Sequence, residues 1–331
     1  MNMKNIAIIG AGLSGLVAAR QLGHTANVTI FEKSKGVGGR IATRRSGPYS
    51  FDHGAQFFTP KTKLLKDFLQ PIILEGHVKR WDGEFAEIIN KQIIFKRKWD
   101  SSPPLYVGAP SMNSFAKQVS VGVNIRHNIL IKSVVRKDGL WQVSDGNEKL
   151  LGKYDWVIVS TPPYQALQLL PQFPSLSSEL VTRKMQSCFS LMLGFSGDLS
   201  LPFDAAVPLG EDISWVSVNT SKPDRGQAYC LLIHSTNDWA DQHFENDRNA
   251  VLGHLIEESS NILDRNLNSA AHKTIHGWRF ANIVRQEGKN YFLDATHNLA
   301  LCGDWYIKGR VEAAFTSGYK VGQAIETILS D

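Results

Sequence analysis

The sequence predicts an α/β protein, α+β overall: a Rossmann-like domain joined to a discontinuous second domain built on a mainly antiparallel sheet plus helices. Three observations carry that expectation. Residues 5–9, NIAII, form a short apolar run that ends at GAGLSG and passes into the helical pattern LVAARQLG, the strand, turn and helix in which a glycine fingerprint is meaningful. The chain has 331 residues, beyond the roughly 250–300 at which a single core usually stops growing. After Pro60 the alternation of buried strands and helices gives way to stretches of alternating hydrophobicity, the mark of antiparallel strands.

In chain order, NVTIFEKS reads as a second parallel strand beside NIAII. KTKLLKDFL is a helix, VKRW, EFAEII and KQIIFKRKW are antiparallel strands, and SSPP at 101–104 is a linker, because Ser and paired Pro disfavour both helix and central strand. The helix SMNSFAKQV, the strands NIRHNILIKSVVR and LWQVSD, and the buried strand YDWVIVSTPP return to the first domain. A second excursion holds the helix YQALQLL, the strands SLMLGFS and AYCLLIHS, the amphipathic NDRNAVLGHLIEESSNIL and TIHGWRFAN. NLALCGDW is a buried strand and VEAAFTSGYKVGQAIETIL a terminal helix. The expected domains are therefore 1–60, 105–163 and 284–331, and 61–104 with 164–283.

Composition narrows the function classes. With 43% hydrophobic and 20% charged residues the chain is globular, and its net charge of +5 is dispersed. The basic clusters Lys96-Arg97-Lys98 and Arg44-Arg45 are too short to neutralise many phosphates, so no nucleic-acid partner is expected. Cys188, Cys230 and Cys302 lie far apart without a CxxC, which argues against a disulfide framework and a metal site and fits a reducing cytoplasm. MNMKNIAIIG is too short in apolar residues for a signal peptide, and no run approaches the about 18 apolar residues of a membrane span.

The fingerprint carries the chemistry. Gly10 permits the tight turn, Gly12 lets backbone approach a pyrophosphate, and Gly15 lets helix pack on strand. The helix opening at Leu13 and Ser14 offers unpaired N–H groups and its positive end to phosphate. Glu32, followed by Lys33, stands at the end of the next strand, where a carboxylate accepts bonds from ribose hydroxyls. GVGGR at 36–40 then brings Gly39 and Arg40 to the same place; backbone can crowd a pyrophosphate there while Arg40 supplies charge-assisted bonds. A nicotinamide dehydrogenase has no evident use for that second loop, which points to a flavin dinucleotide.

On GAGLSGL, FEKSKGVGGR, FDHGAQFF, VIVSTPP and GDWYIKGRVEAAFTSG the chain resembles the flavin-containing amine oxidase superfamily. With VGAPSMNSFAKQV and GWRFA added, it looks most like the bacterial renalase-like flavoproteins. The resemblance implies FAD. It implies that Gly303 and Asp304 meet the ribityl and phosphate region, and that the helix opening at Val311 and Glu312 aims its N-terminus at flavin N1 and C2=O, where reduced flavin gathers negative charge. It implies further that Gly54, Ala55, Gln56 and Phe57 line the flavin, that Ile131 presents backbone to adenine, and that Thr161 borders the cofactor. From the residues alone, Gln56 reads equally as a turn-capping amide, Ile131 as strand core, and Thr161-Pro162-Pro163 as a strand terminator.

The substrate is constrained less. Amine oxidases of the resembled superfamily carry an aromatic residue where this chain has Arg310, and a guanidinium disfavours a cationic amine. Renalase-like proteins imply oxidation of isomeric dihydronicotinamide dinucleotides, 2- or 6-dihydro-NAD(P), by hydride transfer to flavin N5 with reoxidation by oxygen. Such chemistry needs no acid or base, only stacking and orientation, for which Trp278, Arg279, Phe280 and Arg310 are the candidates; Trp278 reads equally as a core indole. The alternatives are a flavin amine oxidase or desaturase of the same superfamily, and a non-catalytic dinucleotide-binding protein. His272 and His276 lack a zinc context, Cys302 reads as a buried thiol, and no metal or membrane partner is expected. The expected partners are a small molecule and oxygen.

Overall fold

The computed structural model describes residues 3–330 other than Ser101. Met1, Asn2 and Asp331, ends of the first expected domain, and Ser101 of the SSPP linker lie outside the described residues. The chain divides into two units, Met1–Arg40 with Ala116–Met185 and Ile283–Asp331, and Ile41–Phe115 with Gln186–Asn282.

The first unit is built on six strands in the order Phe292–Asp294, Leu299–Leu301, Trp156–Val159, Lys4–Ile9, Ala26–Phe31, Asn124–Arg126. All neighbours are parallel except the Phe292–Asp294 edge. Ile6 to Ile9 are buried, which is why that run is continuously apolar rather than alternating. The helix Leu13–Leu22 lies against the terminal helix Val311–Ser330 at backbone distance. Ser14 Oγ donates to the Ala314 carbonyl at 2.7 Å, a Cβ on Gly318 would fall on the backbone of Ser14, and one on Gly322 would stand 2.8 Å from Gln21 Cβ. Gly318→Val is therefore expected to separate the two helices and cost about 3 kcal/mol, as overpacking does; a thermal melt unchanged from wild type would contradict this close packing.

An antiparallel sheet of Ile131–Lys137, Leu140–Asp145 and Leu150–Tyr154 completes this unit, with helices Pro163–Leu169 and Pro174–Thr182. Ala166, Leu169, Leu170, Leu176 and Leu180 are buried in one cluster with Val134, Trp141 and Leu299. Their apolar faces keep residues 164–185 in the first unit, where the sequence had placed them in the second.

The second unit centres on seven strands ordered His272–Asn282, Gln186–Phe195, Tyr229–Ser235, Ile213–Val218, Ala205–Pro208, Glu84–Ile89, Gln92–Lys98. Pairing is antiparallel except between Ala205–Pro208 and Glu84–Ile89. Phe189, Leu191, Leu193 and Ile233 pack with Phe244 and with Val251 and Leu255 of the helix Arg248–Leu263. Met192, Cys230 and Leu232 form a separate cluster with Phe51, which ends the hairpin Arg44–Ser46/Tyr49–Phe51. That contact draws residues 41–60 into the second unit, again a different boundary from the sequence expectation. No helix among the described residues is long and apolar enough to cross a membrane.

Candidate functional site

In the first unit, four chain turns follow the carboxyl ends of four adjacent parallel strands: Gly10 after Ile9, Glu32 after Phe31, Thr161 beyond Val159, and Gly303 beyond Leu301. That rim is where open α/β sheets bind ligands. Gly10 sits at φ +107°, a conformation that side chains other than glycine rarely tolerate, and its N–H donates to the Phe31 carbonyl at 2.9 Å. A Cβ on Gly15 would fall on the Gly10 carbonyl oxygen, and one on Gly12 would meet nothing within 4 Å. The third glycine is thus required by packing, the second by open space beside the turn. Gly12 begins the helix without any side-chain cap, leaving its first N–H groups for an anion. Leu13 and Ser14 are buried, so what they offer a ligand is backbone.

The GVGGR loop is tied to this turn through the Gly38 N–H, which donates to the Ala11 carbonyl at 2.9 Å. Gly39, at φ +53°, lies close enough to Gly12 that an added Cβ would stand 3.5 Å from its Cα. Glu32 is buried and accepts from the Ala11 and Ser34 N–H groups, each at 2.8 Å, so it fixes both loops. Lys33 beside it is exposed. Arg40 donates through Nη1 to Asp304 Oδ2 at 2.8 Å and through Nη2 to Asp304 Oδ1, so the two residues expected at the phosphates hold one another across 264 positions.

Gly303 is pinned by Ser317, whose hydroxyl accepts from the Gly303 N–H at 2.9 Å and donates to the Asn290 carbonyl at 2.6 Å. Trp305 Nε1 donates to the Thr161 carbonyl at 3.0 Å, while Thr161 Oγ1 is buried without a partner. Arg310 is exposed and its carbonyl accepts from Ala314 in the first turn of the terminal helix; Val311 and Glu312 are half-buried. Ile131 is buried in the core, just after Asn128 and Ile129, whose N–H groups bond Ser34 and Glu32. Burial pushes the Cys302 thiol up to about 12, so at neutral pH it is no nucleophile.

The second unit holds a buried ionic cluster that the sequence did not disclose. Asp52 Oδ1 accepts from Thr43 Oγ1 at 2.7 Å and the Met112 N–H at 2.9 Å; Oδ2 accepts from Arg225 Nη2 at 2.6 Å and lies 3.5 Å from Lys222 Nζ. Lys222 also donates to Gln56 Oε1 and Asn219 Oδ1, both at 3.1 Å. Gln56 is fully engaged, donating to the Asp52 and Gly54 carbonyls and accepting from Ser217 and Lys222. The amide therefore fixes the turn, the turn-capping reading that the residues alone had left open. Gly54 and Ala55 are half-buried, and Phe57 packs in an aromatic group with Trp81, Phe85 and Trp215.

Beside that turn, Trp278 stacks on His53 with centroids 5.1 Å apart, and His276 meets it edge-on at 4.3 Å. Trp278 Nε1 donates to the His53 carbonyl at 2.8 Å, and Arg44 Nη2 lies 3.4 Å from His276 Nδ1. Burial, then His276 and Arg44, lower His53 to about 3; burial and Arg44 lower His276 to about 4. Arg279, next in sequence to Trp278, points the other way: it pairs with Glu245 at 2.5 Å and covers the Phe244 ring at 4.3 Å. Strand alternation puts Arg279 on the opposite face from Trp278, and the guanidinium beside His276 is that of Arg44. Phe280 is half-buried in a stretch of irregular pairing.

Residues 8–72 match the NAD(P)-binding Rossmann-like domain family. Mitochondrial protoporphyrinogen oxidase of Nicotiana tabacum is 29% identical over 151 residues, 45% of this chain and 28% of that protein. The curated relatives are matched over 8 to 28% of their own lengths. A presumptive protoporphyrinogen oxidase from Exiguobacterium sp. 255-15 superposes with a TM-score of 0.78 at 14% identity, covering 99% of both chains. Putrescine oxidase bound to putrescine superposes with a TM-score of 0.69 at 12% identity, over 98% of this chain and 99% of that one. The chain has the flavin amine oxidase fold. In this fold the fingerprint turn and the terminal motif, one at each end of the sequence, belong to one sheet, which is why Gly10 and Gly303 follow strands separated only by Trp156–Val159.

Proposed function

We propose that the chain is an FAD-dependent oxidoreductase, a renalase-like oxidase that takes isomeric dihydronicotinamide dinucleotides as substrate and oxygen as acceptor. The observation that carries the cofactor is the rim of the first unit. An uncapped helix N-terminus, open space at Gly12, a guanidinium held by Asp304 and the unpartnered Thr161 hydroxyl together suit a long, doubly charged dinucleotide. Bound there, FAD supplies a two-electron acceptor. The chain itself binds and orients: Glu32 anchors the turn, and Arg40, spending two of its five donors on Asp304, is aimed rather than mobile.

The substrate reading is supported by the second unit's own aromatic group. His53 and His276 are uncharged at pH 7; half-buried His276 and Trp278 present flat rings over buried His53, with the Arg44 cation beside them. That chemistry suits a planar ring carrying an anionic tail and disfavours an ammonium ion.

Anaerobic stopped-flow of the yellow protein against borohydride-generated NADH isomers, with NADH and amines as controls, tests the reading. Bleaching by the isomers alone is expected; bleaching by amines alone would replace the substrate, and a colourless protein that takes up no FAD would remove the cofactor. Glu32→Ala, which strips acceptors from two loop N–H groups, is expected to weaken FAD binding at least about tenfold, since a bond to a charged group contributes about 1.5–3 kcal/mol. Unchanged affinity in a flavin-fluorescence titration would count against that anchor.

A further inference from the structure

The hairpin of the second unit formed by Glu84–Ile89 and Gln92–Lys98 is built against the usual logic of a sheet. Its outer strand, QIIFKRK, is the edge of the seven-stranded sheet, and all seven of its residues are exposed. Ile93, Ile94 and Phe95 are 40%, 53% and 49% exposed, and Leu209, whose N–H bonds the Ile88 carbonyl, is another exposed apolar residue at the same end. Water-exposed Ile-Ile-Phe on an edge strand is a liability that proteins ordinarily remove.

We propose that this hairpin docks on an anionic lipid surface, with Ile93, Ile94 and Phe95 entering the acyl boundary and the cations beside them meeting lipid phosphates. The order of side chains supports a bilayer. The tip turns tightly at Asn90 and Lys91, both at positive φ, the apolar residues follow, and Lys96, Arg97 and Lys98 come after them. At a strand rise of about 3.3 Å per residue, Ile93 and Arg97 stand roughly 13 Å apart, which spans the step from acyl boundary to headgroups. Behind the apolar residues the cations Lys96, Arg97 and Lys98 outnumber Glu84 and Glu87 of the partner strand, and Lys91 adds a further cation at the tip. Lys96 pairs with Glu84 at 3.1 Å, and Arg97 lies 3.5 Å over the Trp99 ring, so the collar is oriented, and it complements an anionic surface.

Two features disfavour pairing with another strand instead. The register slips between Glu87 and Ile88, leaving Ile94 as the extra residue of a bulge, and bulges and lysines are how edges are protected from strand addition. Exposed apolar residues also occur at successive positions, so both faces of the strand carry them; a fluid bilayer covers both, whereas a protein groove covers one.

The test is co-sedimentation of the full-length holoprotein with vesicles of phosphatidylcholine alone, and with about 30% phosphatidylserine, a typical anionic surface. The expected result is partitioning at least about tenfold stronger to the anionic vesicles, weakened by salt. Ile93→Ser/Ile94→Ser/Phe95→Ser, with unchanged flavin content and circular dichroism, is expected to abolish it, and Lys91→Gln/Lys98→Gln to reduce it about threefold or more. Equal partitioning of wild type and the triple variant would overturn the proposal, as would absence of binding to either vesicle. A dimer in light scattering that the triple variant dissociates, without vesicle binding, would assign the edge to a second copy of the chain.

Discussion

Asp52→Ala is expected to be the most damaging single truncation in the second unit, costing about 3–5 kcal/mol, because it leaves buried cations without their counter-charge. Asp52 and Lys222 side chains are wholly buried and Arg225 nearly so. Burial alone would raise the Asp52 carboxyl, but Lys222, Arg225, the Met112 N–H and Thr43 outweigh it and hold it below the usual carboxylate range. Burial, partly offset by Asp52, lowers Lys222 to about 8. Without Asp52 that lysine loses the contribution that raised it and sheds its proton, which caps its part of the cost; Arg225 has no such escape. Asp52→Asn keeps the shape and one acceptor and should fall between wild type and Ala. Asp52→Asn/Lys222→Met, with one charge fewer to desolvate, should recover part of the loss. Urea midpoints measure all three; Asp52→Ala within about 1 kcal/mol of wild type would show the cluster to be weakly coupled to folding.

What the sequence disclosed, and what it did not, divides by range. The fingerprint is legible because its demands are local: three glycines within six residues, each with a separate steric reason at Gly10, Gly12 and Gly15, and an acid at the end of the next strand. The terminal helix is legible as amphipathic, yet the need for Gly318 appears only when Ser14 lies against it. Nothing in FDHGAQFF or SKPDRG indicates that Asp52 and Arg225, 173 positions apart, share a bond. The exchange points at 40, 115 and 185 differ from the expected 60, 104 and 163 for a similar reason, whereas that at 282 falls one residue from the expected 283. A helix such as Pro174–Thr182 belongs to whichever core buries Leu176 and Leu180, and that core includes Trp141. Arg279 is different: adjacency to Trp278 in a strand already implies opposite faces, so that placement was within reach of the pattern. For QIIFKRK the pattern yields a strand but not which of its faces remain bare.

Acid should destabilise the protein well above the carboxylate range, because the second unit holds three neutral histidines, His53 buried and His234 and His276 half-buried. His53 falls to about 3, and His276 and His234 each to about 4, with burial the largest cause in every case. Arg44 also lowers His53 and His276, and Lys222 lowers His234, while the His53 backbone raises His234 slightly. In the unfolded chain these rings titrate near 6.5. Their stabilisation is therefore complete above about pH 6.5, and it is lost as pH falls below that, where the unfolded chain takes up protons that the fold refuses. Each group contributes at most about 1.4 kcal/mol per pH unit, less for half-buried His276, whose exposed side is screened by solvent, so the three together stay below about 4, still a large share of a total near 5–15 kcal/mol. Between about pH 6.5 and 5 ordinary carboxylates are still ionised in both states, which makes that window specific to histidine. Urea unfolding at several pH values across it should show the steep loss, and His276→Gln, which cannot titrate, should flatten the slope by up to about a third. An equal slope in the variant would mean that His276 takes its proton within the folded protein, and the aromatic group with Trp278 would then carry a charge at mildly acidic pH.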